Sequence, residues 1–171
     1  MRVLSGGGTS LDKLRPRGAS VNNAAKTTTG AVSFMEKFNT TSNIIGSENR
    51  RAALMISLNV EHPDIEEFIE KKLDLDAITK ANISVEMTDE FMQAVVNEEK
   101  FDLHFHVEDT GEEIIKTVDA NKVMNMIAYA NYDYAEPGIL FKDTIERWSS
   151  NSDLDTYEYG GVNPLTYNMG I

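Results

Sequence analysis

The chain contains no cysteine in 171 residues. This excludes a disulfide framework, a thiolate metal site and a thiol nucleophile. No apolar run approaches the roughly eighteen residues of a membrane-spanning helix. Met1-Arg2-Val3-Leu4-Ser5 followed by three glycines does not read as a signal peptide. A cytoplasmic protein with no membrane partner is the expectation. Basic residues are also scarce: sixteen Lys/Arg stand against twenty-eight Asp/Glu, for a net charge of −12. Nucleic acid is a poor partner for so acidic a protein.

What basic charge there is lies toward one end. Residues 1–60 carry eight Lys/Arg and three Asp/Glu, and the remainder carries eight and twenty-five. Such asymmetry suits a segment that handles anions beside a solvated acidic one. Charge scattered over a surface is the plainer alternative. The length suits one domain, or a piece of a larger one, with enough chain to bury a core.

Residues 1–30 read as a short strand followed by long loops, punctuated by Gly6-Gly7-Gly8, Pro16, Gly18 and Gly30. Loops of that length are usually functional or disordered. Residues 32–45 read as a helix, with Phe34, Met35, Phe38 and Ile45 at helical spacing and Gly46 as its stop. A polar loop over 46–51 leads into a buried strand over 52–60. Pro63 suits a first helical turn. Ile65, Phe68 and Ile69 give that helix an apolar face, while Glu66, Glu67, Glu70, Lys71 and Lys72 stay wet. Residues 81–87 form a strand, and Thr88 caps a helix whose stripe is Phe91, Met92, Val95 and Val96.

Residues 101–107 and 114–118 pair as a hairpin about Asp109-Thr110-Gly111-Glu112. A helix over 121–131, a break at Pro137-Gly138, a short buried strand over 139–141, a helix over 143–148 and a polar loop over 149–160 complete the pattern. The alternation of strand and helix predicts an α/β fold with parallel strands. There are too few strands to close a barrel or to cover both faces of a sheet.

Candidate chemistry is sparse. Gly6-Gly7-Gly8-Thr9-Ser10 could let a backbone approach a phosphate, but it matches neither the P-loop nor the dinucleotide-binding pattern. Arg15-Pro16-Arg17-Gly18 and Arg50-Arg51 place guanidinium forks, which suit phosphate oxygens, on two polar loops. Solvated loops are the alternative. His104 and His106 share one face of a strand, yet no third ligand is evident, so no metal site is assigned. His62 reads as a helix-start residue rather than a base. Glu108, Asp109, Glu112 and Glu113 read as a solvated hairpin tip. Two glycosylation sequons, at Asn39 and Asn82, are chance matches in a cytosolic chain.

Longer strings are more specific. The segments Gly6 to Gly18, Thr29-Gly30-Ala31-Val32-Ser33-Phe34-Met35, Arg50-Arg51-Ala52-Ala53-Leu54-Met55, His62-Pro63-Asp64-Ile65, Asn82-Ile83-Ser84-Val85, Thr88-Asp89-Glu90-Phe91-Met92 and Glu136-Pro137-Gly138-Ile139-Leu140-Phe141 occur in order. Together they resemble ribonucleotide reductase large subunits, in particular the adenosylcobalamin-dependent class II branch. The resemblance implies a ten-stranded α/β barrel, of which this chain would supply about half as one partial barrel domain over 1–171.

It implies further that residues 1–30 hold a Gly-rich segment and specificity loop 1 (Arg15 to Ala25), near a dNTP effector. Residues 46–51 would be specificity loop 2, which links effector to substrate base. The nucleotide-binding positions implied are Arg15, Arg17, Gly18, Ser47, Asn49, Arg50 and Arg51.

Residues 161–171 correspond to the approach to the finger loop. Asn163 would contact the ribose, but Leu165 stands where the radical cysteine belongs and Tyr167 where a general-base glutamate belongs. The reducing cysteine pair would lie before Met1 and beyond Ile171. Glu48-Asn49 and Ala52 stand where loop 2 usually has small residues or Gly. The expectation is a piece of a reductase that replaces a ribose 2′-hydroxyl with hydrogen, inactive alone and not binding adenosylcobalamin by itself. It would be completed by a second chain or a homo-oligomer, with dNTP binding possible. An inert remnant is the alternative.

Overall fold

The computed structural model describes residues 7–45, 54–72, 78 and 81–149. The elements run β1 (Gly7–Ser10), α1 (Ala31–Ile45), β2 (Leu54–Asn59), α2 (Ile65–Lys71), β3 (Ala81–Met87), α3 (Asp89–Val96), β4 (Lys100–Val107), β5 (Glu112–Asp119), α4 (Ala120–Tyr134), β6 (Gly138–Phe141) and α5 (Lys142–Arg147). Strands β1, β2, β3 and β6 form a parallel sheet in that order, and β4 and β5 form a separate antiparallel hairpin.

The sheet is two-faced because side chains alternate along a strand. Leu54, Ile56 and Leu58 of β2, with Ala81, Ile83, Val85 and Met87 of β3, are buried in one apolar cluster. Met35 of α1, Phe68 and Ile69 of α2, Phe91 of α3, Leu103 of β4 and Ile127 of α4 complete it. The alternate positions are mostly polar, with Met55 and Leu140 as the apolar members of that face. Register places Ser10 beside Ser57, Ser57 beside Ser84, Asn59 beside Glu86 and Ser84 beside Gly138. The sheet is thus covered by helices on one side and carries a row of hydroxyls and a carboxyl on the other.

Helix boundaries follow local chemistry. Thr88 caps α3 by accepting from the amide of Phe91 at 3.3 Å, as its position before an apolar stripe predicts. Asp119 caps α4 through the amide of Lys122 at 3.0 Å. Asp64 occupies the N-cap position of α2 but makes no side-chain bond to that helix, forgoing a contribution of about 1 kcal/mol.

Several expectations are corrected. β6 is not a buried strand: Ile139 is 38% and Phe141 50% exposed, because within the described sheet β6 pairs with β3 alone. Helix α4 runs on to Tyr134 and stops at Ala135 in the left-handed region (φ 58°). Its last turn, Asn131-Tyr132-Asp133-Tyr134, is polar and carries no apolar period to read. The hairpin strands extend one or two residues beyond 101–107 and 114–118. Glu66 does not simply stay wet but sits between Lys116 and Lys122 at 2.7 and 2.9 Å. Residues 46–53, including Gly46, and 150–160 lie outside the described residues. Among the described residues no helix is long and apolar enough to cross a membrane.

Phe91 is fully buried, with its ring 5.3 Å edge-on from Phe101. Phe91→Ala should cost about 3–5 kcal/mol, a large share of a typical total of about 5–15 kcal/mol. Tyr132→Ala, at an 88% exposed position, should stay within about 0.5 kcal/mol of wild type. Urea denaturation of the two variants checks both values.

Candidate functional site: the loop at the carboxyl end of β1

In parallel α/β sheets, ligands gather beyond the carboxyl ends of the strands. Here that end is occupied by residues 11–30, which leave β1 and return to α1. Leu11 is fully buried and donates its amide to the carbonyl of Ser57 at 2.9 Å. Asp12 accepts from the amide of Asn59 at 2.7 Å, tying the start of the loop to the end of β2. The loop then folds back on itself. Gly18 donates to the carbonyl of Thr28 at 3.0 Å, Thr28 to Ala19 at 3.0 Å and Val21 to Lys26 at 2.8 Å. Gly18 (φ +83°) and Gly30 (φ +93°) adopt left-handed backbone at the two ends of this turn-back, a conformation that glycine tolerates without strain.

His62 and Asp64 hold the loop from below. His62 is buried, its Nε2 lies 2.8 Å from the carbonyl oxygen of Leu14, and its Nδ1 accepts from the amide of Asp64 at 3.1 Å. That pattern puts the proton on Nε2. Burial pushes the imidazole below its ordinary value, against the pull of the Leu14 carbonyl and of Asp64 and Asp12. The carboxylate of Asp64 accepts from the amide of Arg17 at 2.9 and 3.1 Å and from the amide of Ala31 at 2.9 Å.

From above, the loop meets the β4–β5 hairpin. Arg15 pairs with Asp109 and donates to the carbonyl of Ser20 at 3.3 Å. Ser20 donates its amide to Glu112 at 2.9 Å and its hydroxyl to the same oxygen at 2.5 Å. These bonds from Ser20 hold the Glu112 carboxyl below its usual range. The hairpin tip is therefore not merely solvated, as its acidic composition suggests; it fastens the loop. Between loop and hairpin lies a cleft of about 440 Å³, with Asp12, Lys13 and Arg15 on one side and Phe105, His106 and Asp109 on the other.

Of the expected nucleotide-facing residues, Arg15, Arg17 and Gly18 are brought together in this loop. Arg17 makes a two-pronged pair with Glu67, through Nε to Oε2 at 2.8 Å and through its terminal nitrogen to Oε1. This raises the guanidinium and lowers the Glu67 carboxyl. Ser47, Asn49, Arg50 and Arg51, and likewise Asn163, Leu165 and Tyr167, lie outside the described residues. His104 and His106 share the exposed face of β4, and His106 faces Glu113 at 2.5 Å. Among the described residues no three His, Cys, Asp or Glu side chains are placed to hold a metal. Asp64, Glu67, Asp109 and Glu112 were not legible as parts of the site, because the loop residues they hold lie 33 to 94 residues away.

On the polar face of the sheet, Glu86 is 1% exposed. Among the described residues, neither its Oε1 nor the Oγ of Ser57 has a hydrogen-bond partner. Burial pushes the Glu86 carboxyl up, and Asp12 adds to the effect.

A parallel sheet with helices on one face, mostly polar side chains on the other and a folded loop at the carboxyl end defines an α/β protein of the open or barrel kind. The family model for the barrel domain of ribonucleotide reductase matches residues 1–159. The vitamin B12-dependent ribonucleotide reductase of Streptomyces clavuligerus is 38% identical over 98% of this chain. The vitamin B12-dependent ribonucleoside-diphosphate reductase of Thermoplasma acidophilum is 37% identical over 94% of it, and that of Mycobacterium tuberculosis H37Rv 33% identical over 84%. The chain belongs to the ribonucleotide reductase family and is part of its α/β barrel domain. It spans about a fifth of the length of these relatives, 19%, 22% and 20% respectively.

The buried Glu86 gives a prediction whose sign is fixed. Its folded pKa is raised, so the folded state keeps a proton that the unfolded chain sheds above about pH 4.5. The favourable contribution is therefore full below that pH and is lost as pH rises through the folded value. Glu86→Gln should raise the urea midpoint at pH 7 and leave it nearly unchanged at pH 4, as paired melts at the two pH values will measure.

Proposed function

We propose that this chain is the effector-facing part of a ribonucleotide reductase barrel, and that it binds a deoxynucleoside triphosphate through the 11–30 loop without carrying out the reduction itself. The observation that carries this reading is the loop. It bears Arg15 and Arg17 within the family-matched span, at the carboxyl end of a parallel strand, and it is folded and fastened at both ends. Arginine forks recognise phosphate oxygens in pairs. Both guanidiniums now hold carboxylates, Asp109 and Glu67. Both pairs are at least partly exposed, and such pairs are individually weak, so a triphosphate would compete for them on favourable terms.

The reduction is assigned elsewhere. The family's radical chemistry runs on cysteine, and this chain has none. Leu165 offers no thiol and Tyr167 no carboxylate at the positions that the resemblance gives to the hydrogen-abstracting and base residues. The relatives are vitamin B12-dependent, which supports adenosylcobalamin as the cofactor of the parent enzyme, where it supplies the radical. The charge-lined cleft of about 440 Å³ does not fit a corrin, and the described residues of this chain are given no part in holding one.

Completion of the barrel is part of the same proposal. Within the described sheet, β1 and β6 each pair on one side only, and exposed strand edges invite further pairing. The cysteine-bearing remainder of the barrel, on the same polypeptide or on a second chain, or a second copy of this chain, would cover them in the cytoplasm.

Incubation of the chain with ribonucleotide, effector, adenosylcobalamin and a dithiol should yield no deoxynucleotide; turnover would refute the division of labour. Calorimetric titration with dATP should give saturable binding, which the double change Arg15→Ala, Arg17→Ala weakens about tenfold or more. A flat titration would favour an inert remnant. Light scattering should report a mass above that of one chain, and a monodisperse monomer would count against self-association.

A further inference from the structure

Asp64 stands where the cap of α2 belongs, yet its carboxylate turns away from that helix. It bonds instead to Arg17 and Ala31, the residues at the two feet of the loop. One side chain thus closes the segment from Arg17 to Ala31 across its base. The surroundings are built to this arrangement. Asp64 is 7% exposed. Its own amide is held by His62, which also holds the carbonyl of Leu14, one turn before Arg17. At Gly30 an added Cβ would stand 2.7 Å from Asp64 Oδ2 and 2.9 Å from the Cβ of Arg17, so the loop closes only on a residue without a side chain. One turn further along α2, Glu67 takes the guanidinium of the same Arg17 whose amide Asp64 takes. Backbone and side chain of Arg17 are therefore aimed by two carboxylates of one short helix.

We propose that Asp64 is a positioning residue. By clipping the feet of the loop together it sets the direction in which Arg17 and its neighbours present themselves to phosphate. The inference rests on the nucleotide reading of the loop, but the clip itself can be tested without it. The two oxygens of an aspartate accept both amides, whereas an asparagine keeps one oxygen and turns an NH₂ donor toward the other N–H.

Hydrogen exchange followed amide by amide on the full chain supplies the measurement, with dATP affinity by calorimetry beside it. In Asp64→Asn, the amides of Arg17, Gly18, Thr28 and Ala31 should exchange about tenfold faster or more, while Ile83 and Val85 in β3 keep their protection and dATP binding weakens by a similar factor. Gly30→Ala attacks the same contact from the opposite side and should give the same signature; it stands in if Asp64→Asn does not fold. Loop amides that exchange no faster would overturn the clip, as would β3 amides that accelerate in step with them. Faster loop exchange with unchanged dATP affinity would overturn the positioning role. Loop-selective acceleration in a protein whose wild type binds no dATP would leave the clip standing and overturn the nucleotide reading instead.

Discussion

The six-residue parallel ladder between β2 and β3, from Leu54 beside Ala81 to Asn59 beside Glu86, is the constraint from which the rest of the molecule hangs. A parallel pair requires a crossover between its strands, and here α2 packs its Phe68 and Ile69 into the apolar cluster on one face. The same register sets the opposite face, lining up Ser57 with Ser84 and bringing Asn59 beside Glu86. Slipping the register by one residue would exchange the two faces, burying hydroxyls under the helices and turning Ile56 and Val85 out. The helix that makes the crossover also brings His62 and Asp64 to the end of the sheet, where the loop from β1 arrives.

That loop is organised by acids more than by its own bases. Arginines 15 and 17 are the residues that draw attention to it, but Asp12, Asp64, Glu67, Asp109 and Glu112 decide where it lies. Two come from α2 and its start, two from a hairpin more than ninety residues on in sequence, and one from the loop itself. The uneven charge of the chain is thereby turned into structure: the basic early segment folds onto the acidic later one.

The layered pattern was legible because each local choice agreed with it. Thr88 before an apolar stripe, the apolar runs around Ile56 and Ile83, and Asp109-Thr110-Gly111 between alternating strands all meant in the fold what they mean locally. Family strings added the barrel. What stayed hidden was every tie that crosses the chain. His62 and Pro63 read as a helix start, and nothing local says that the aspartate after them holds the start of another helix. Glu112 on a hairpin tip reads as solvated, because its partner Ser20 is ninety-two positions away. Ile139 and Phe141 read as core because apolar character does not reveal which neighbouring strand is supplied.

The fastenings of the loop divide by depth. At its rim, Arg15 with Asp109 and Arg17 with Glu67 are ion pairs in contact with water, and mobile ions screen such pairs over roughly 8–10 Å at physiological strength. At its base, the Asp64 bonds to two amides are enclosed and little affected. Ionic strength therefore acts on this loop selectively. Added salt frees the guanidiniums while the backbone beneath them keeps its shape, so the arms become available without the shoulder moving.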